Sequence, residues 1–231
     1  MKSAKTTGRT IGILLLLHLI TGLMTPYILL QQLTRPLTLA AINSVNGFQI
    51  RLAVMMLFVG GALTIVIAIT GMPVFQEYSY AMALWLFGLA IANFSLQGGE
   101  IAGYMSMFTF SQNYASANAA DLGMYELAGA TVRSAWKWIH YTHLLVMVSW
   151  MFSLGLMLWK SALVPRIFVA LLLITTLMQI TGITLPQFLA YRSPNLMLMG
   201  LPLASAYLGL SGWLMIKGFR TTEGEATALT R

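Results

Sequence analysis

The chain contains no cysteine. That excludes thiolate metal sites, iron–sulfur clusters, disulfides and covalent c-type haem attachment. Charge is almost as scarce: Asp, Glu, Lys and Arg make up 8% of 231 residues, against roughly a quarter in soluble domains. So few charges cannot cover a water-facing surface of this size. Acid is the scarcer sign, with six Asp and Glu against 13 Lys and Arg and a net charge of +7. The basic residues are scattered and mostly flank apolar runs, which marks membrane topology and gives no basis for nucleic-acid binding. Phosphate-binding loops, dinucleotide fingerprints, nucleophile elbows and kinase motifs are also missing. Segments outside the apolar runs are too short to fold a catalytic domain, so any chemistry takes place among the helices.

What the chain does have is apolar length. Hydrophobic residues make up 58% of it, and its mean hydropathy is +0.78. Six runs are long enough to cross a bilayer core of about 30 Å: residues 10–30, 52–70, 79–104, 136–159, 165–186 and 196–216. Lipid offers no partner to backbone polar groups, so these runs must be helices. Nothing alternates strictly enough for a β-barrel. The first run is too long for a signal-peptide core of about 7–15 residues and reads as an uncleaved span. The fold class is therefore all-α, a polytopic bundle of six transmembrane helices in one domain over residues 1–220. A short polar tail follows over 221–231.

Several details of the spans are expected. The second and third join in a turn around Pro73, and Pro202 kinks the start of the sixth. Trp136, Trp138 and Tyr141 anchor one membrane interface, and Trp159, Lys160 and Arg166 the other. Residues 118–132, with Leu122, Tyr125 and Val132 on one face, read as a short interfacial helix. With the N-terminus inside, Lys2, Lys5, Arg9, Lys160, Arg166, Lys217, Arg220 and Arg231 fall inside. Arg35, Arg51, Arg133, Lys137 and Arg192 fall outside. That bias places both termini in the cytoplasm. Ile-Thr-Gly-x-x-x-Pro occurs at residues 20–26 and 180–186. It ends two outward-running spans and reads as chance or a shared way of finishing a helix, since an inverted repeat would relate the first span to the fourth.

Glu100 is the acid inside a long apolar run. Asn93, Gln97, Glu100 and Tyr104 follow at steps of four, three and four, one face of a helix. A carboxylate facing lipid is costly, so this face turns toward other helices or a wet cavity. The topology brings Arg51, His140, His143 and Gln179 to a similar depth, in the outer half. His18 lies near the middle of the first span, with Thr21 and Thr25 above it. The plainest role for Glu100 is an ion pair with Arg51 or a histidine that pins helix packing. The same groups could bind a small polar ligand or a headgroup, hold a divalent metal through Glu100, His140 and His143, or relay protons. His18 and His143 form the one deep pair suited to a b-type haem. Glycines at 98, 99 and 103, at 60 and 61, and the small residues from Gly200 to Gly209 read as packing surfaces. We expect no catalytic residue and no cofactor. The expected partners are the lipid bilayer and a small polar ligand or another membrane protein.

Three stretches carry a resemblance. Thr-Ile-Gly-Ile-Leu-Leu-Leu-Leu-His-Leu-Ile-Thr-Gly-Leu over 10–23, Trp-Lys-Ser-Ala-Leu-Val-Pro-Arg over 159–166 and Trp-Leu-Met-Ile-Lys-Gly-Phe over 213–219 resemble bacterial membrane proteins grouped as domain of unknown function 4386. The resemblance follows nearly the whole chain in span order. It implies a six-span bacterial membrane protein and transfers no catalytic residue. The expected location is the bacterial cytoplasmic membrane.

Overall fold

A computed structural model describes residues 4–30, 39, 42, 46–191 and 199–220. Lys2, Arg35, Arg192, the first residues of the expected sixth span and the C-terminal tail lie outside them. Five helices form the described chain. They are α1 (Ala4–Met24), extended by a π turn over Thr25–Leu29, α2 (Gly47–Ala115), α3 (Leu122–Ser161), α4 (Arg166–Phe188) and α5 (Leu201–Lys217). Four of the helical segments, all but α5, are long and apolar enough to cross a membrane. Their outward faces carry Ile13, Leu17, Phe58, Ile69, Trp85 and Ile174, each at least two-fifths exposed. Apolar side chains exposed in such a belt face something other than water.

A straight helix of 69 residues would be about 100 Å long. α2 instead folds back on itself. Ser79 has extended backbone angles (φ −169°, ψ 106°), and its Oγ accepts from the Met82 amide at 3.5 Å as a cap for the returning arm. The two arms touch as an antiparallel hairpin through Phe58 with Phe94 and Asn93 with Thr64. The reversal therefore lies at Ser79 and not around Pro73. Pro73 is accommodated inside the first arm. Pro202 likewise makes no kink: it occupies the first turn of α5, where its missing N–H removes no helical bond.

The other helices continue the up-and-down order. α1 runs against α5, as Arg9 donates to the Ile216 carbonyl at 3.1 Å and His18 meets Tyr207. The second arm of α2 runs against α3, α3 against α4 and α4 against α5. Close approach of α1 and α5 depends on Gly8 and Gly12, where a β-carbon would strike the α5 backbone or the residues just after it. At Gly218 the chain leaves α5 with φ +72°, beside the Lys5 backbone. Phe219 then packs on Phe75, and the Arg220 amide donates to Leu163 O at 2.9 Å.

The apolar core has two parts. The larger gathers Ile11, Leu15, Phe75, Leu154, Leu214 and Phe219 toward the end that holds Ala4 and Arg220. The smaller gathers Leu30, Ile50, Tyr104 and Phe108 toward the other end. The expected short helix over 118–132 is not separate. It is the first part of α3, which runs 40 residues, roughly 60 Å. Tyr114, near the end of α2, donates to Glu126 Oε1 at 3.1 Å and ties these two long ends together. The aromatic anchors are engaged as well: Lys137 stands over Trp138 and Arg166 over Trp159.

Candidate ligand site between the helices

The polar stripe on α2 lies between the two apolar clusters. Asn93, Gln97, Glu100 and Tyr104 are all buried. Glu100 is bonded to two imidazoles from α3: His140 Nδ1 stands 2.8 Å from Oε1 and His143 Nδ1 2.7 Å from Oε2. The two histidines can do this because a three-residue step on α3 puts both on one face. A carboxylate can only accept, so both Nδ1 atoms carry the proton and donate. Each carboxylate oxygen thus has a charge-assisted bond, and this compensates a charge that burial would otherwise make costly. Tyr104 turns its hydroxyl toward the same carboxylate. Trp136 stacks on His140, centroids 5.3 Å apart, and occupies the space that Gly103 leaves free.

Of the residues expected at this depth, Arg51 is not brought in. It is exposed on α2, and the salt bridges among the described residues are those of Glu100 with His140 and His143. A basic guanidinium was not needed once two imidazoles supplied the donors. Gln179 is partly buried and reaches the group's cavity from α4, packed where Gly200 has no side chain. His18 pairs with Tyr207 Oη through Nδ1 at 3.0 Å and rests edge-on against Trp150.

These side chains surround a cavity of about 400 Å³, within the range of small-molecule sites, roughly 300–1,000 Å³. Both arms of α2 and every other helix contribute to its wall, which carries Glu100, His140, His143, Asn93, Gln97 and Gln179. Tyr27 and Leu201, 66% and 60% exposed, line it where the π turn meets the start of α5. Three buried polar atoms of residues in this wall have no hydrogen-bond partner: Thr25 Oγ, Asn93 Oδ1 and His143 Nε2. Thr25 is an exception among the buried helical hydroxyls. Those of Thr64, Thr175, Thr176 and Ser211 donate to carbonyls three or four residues back. The Thr25 hydroxyl does not; from this residue on the helix widens into the π turn, closed by Leu30 N to Thr25 O at 2.8 Å. Near the second Ile-Thr-Gly-x-x-x-Pro segment Leu189 N also bonds a carbonyl five residues back, Thr184 O at 3.2 Å, one position earlier relative to the proline.

Among the described residues no group of three or more His, Asp or Glu is disposed to hold an ion. The aromatic partners Tyr207 and Trp136 were not anticipated from the sequence. Tyr207 meets His18 from 189 residues away, and helical periodicity carries no signal of that; Trp136 stands four residues before His140 on α3, a spacing that could have indicated the contact.

No curated protein and no solved structure matches the chain. The model of the family described as a domain of unknown function (DUF4386) matches residues 10–218, nearly the whole length, and the chain belongs to that family.

Proposed function

We propose that this is a bacterial inner-membrane protein whose chain crosses the bilayer six times, with both termini in the cytoplasm. In this reading it binds a small molecule, without catalysis, in the cavity beside Glu100, in the outer half of the bundle. The carrying observation is the cavity itself, a space bordered by every described helix, whose largely apolar wall carries one buried polar cluster around Glu100. The two arms of α2 count as separate crossings, and α5, about 25 Å long, is the shortest. A transport conduit is the weaker reading. Toward the end that holds Ala4 and Arg220 the bundle is filled by an apolar cluster that includes Leu15, Leu154 and Leu214, all fully buried and none of them lining the cavity.

Single cysteines test the topology cleanly in a chain that has none. Ala119→Cys, between α2 and α3, should react with a membrane-impermeant maleimide in intact cells. Lys160→Cys should react only after permeabilisation. The opposite pattern would invert the topology and move the site to the inner half. Metal and haem readings are tested by the absorption spectrum and elemental content of the purified protein, expected to be colourless and free of stoichiometric metal.

A further inference from the structure

Two carboxamides face the cavity with nothing to bond. Gln97 on α2 and Gln179 on α4 both line it. Among the described residues neither side chain has a hydrogen-bond partner, and their polar atoms, unlike Asn93 Oδ1 and His143 Nε2, are not sealed from the cavity. Each is seated against a glycine, which has no side chain to pair with it. A β-carbon at Gly61 would strike Gln97, and one at Gly200 would strike Gln179. Gly60 keeps open the space between Gln97 and α1: its β-carbon would stand 3.8 Å from Gln97 Nε2 and 3.0 Å from Thr21 Oγ1. Thr21 gives its hydroxyl hydrogen to His18 O at 2.9 Å, so toward that space it can only accept. Thr21 lies eight residues before Leu29 and Gln179 nine before Phe188. Their helices run the same way, so the two stand at one depth to within a turn. A carboxamide offers donors and an acceptor together, and a group that also does both completes it.

The cavity also reaches the outside of the bundle within the apolar belt. At Gly12 a β-carbon would strike the α5 backbone. Ten residues further on, Gly22 lines the cavity with Leu201 and Ala204 of α5, and a β-carbon there would meet nothing within 4 Å. The helices part between these levels and leave a gap. Leu23, Tyr27 and Leu201 line the cavity in that gap and are exposed on the outer face as well. Such an apolar rim suits an alkyl chain.

We infer that the occupant is a single-chain amphiphile taken from the bilayer. Its head, which both donates and accepts hydrogen bonds, lies against Gln97, Thr21 and Gln179, and its alkyl chain lies in the gap between α1 and α5. This rests on the membrane-spanning, ligand-binding reading of the cavity. A water-borne amide carries the same head without the chain, so chain length separates the two sources.

The test is isothermal titration of the purified full chain in nanodiscs, with titration of empty nanodiscs subtracted for partitioning. The probes are decanamide, methyl decanoate, whose ester only accepts, and acetamide, which has the head and no chain. Decanamide should bind at least about 5-fold tighter than methyl decanoate, as loss of one donated hydrogen bond predicts. Gln97→Leu should shrink that ratio to about 2-fold or less, with Gln179→Leu as the second variant. If neither variant folds, the ratio in the unaltered protein decides alone. Gly22→Leu fills the gap and should weaken decanamide at least about 5-fold; unchanged affinity overturns the placement of the chain. Acetamide binding as tightly as decanamide overturns the bilayer source. Equal affinity for decanamide and methyl decanoate overturns the head rule and leaves the binding site standing. Binding of none of the three overturns the binding reading, and this inference with it.

Discussion

Glu100→Ala should destabilise the purified protein by about 3–5 kcal/mol, the cost of removing one partner from a buried charged group. The loss comes from what remains. Two Nδ1–H groups lose their acceptor, and His143, 5% exposed, cannot turn to water. The His140 side chain is 29% exposed and can be partly rehydrated, so its share is smaller. Glu100→Gln keeps one accepting oxygen but sets an NH₂ against the other imidazole, and should cost about half as much. Denaturant unfolding in mild detergent, followed by circular dichroism, measures both. A double-mutant cycle with His143→Phe should return a coupling of at least about 1 kcal/mol. Additive effects would mean that the bond contributes nothing to the fold. A Glu100→Gln protein that keeps full stability yet loses solute flux in proteoliposomes would favour the transport reading instead.

Gly12→Val should be nearly as damaging, at about 3 kcal/mol, the upper end for overpacking. A β-carbon at Gly12 would stand 2.6 Å from the Met215 amide nitrogen and 2.9 Å from the Ser211 oxygen. Both are backbone atoms, so no rotamer change relieves them, and α1 must move away from α5. That movement would also stretch the His18–Tyr207 bond above it. Gly98→Ala is the control, because a β-carbon there meets nothing within 4 Å. It should be neutral or slightly stabilising, since Ala favours helix over Gly. Thermal unfolding of the two variants side by side separates close packing from glycine content. Equal stability would mean that α1 and α5 are not held at backbone contact.

The glycines illustrate what could be read from residues alone. Spacing marked Gly98, Gly99 and Gly103 as a packing stripe, yet Gly98 faces open space and Gly103 makes room for Trp136. Gly8 and Gly12 carry the closest helix approach and did not stand out. Apolar run length located the helices well, because lipid forces every crossing to satisfy its own backbone within the segment. The start of the second arm at residue 79 was legible from the apolar run, while the turn itself was placed too early, around Pro73, since proline is a strong local signal and a single extended serine is a weak one. Periodicity also identified the Glu100 stripe and its inward orientation, because a three-to-four-residue step fixes which side chains share a face whatever surrounds the helix.

Composition and spacing along the chain thus determined that helices form, where their apolar runs lie, and that Asn93, Gln97, Glu100 and Tyr104 turn inward together. Only the tertiary arrangement decided their partners. It set two histidines some 40 residues away on Glu100 and left Arg51 exposed outside the cluster. It also joined His18 to Tyr207 across 189 residues, and it left Thr25, Asn93 and His143 with unpaired atoms around one cavity. The reason is physical: helical periodicity is a property of neighbours within two turns. Which faces meet across the bundle depends on rotation and depth, and those are set by close packing of residues far apart in the chain.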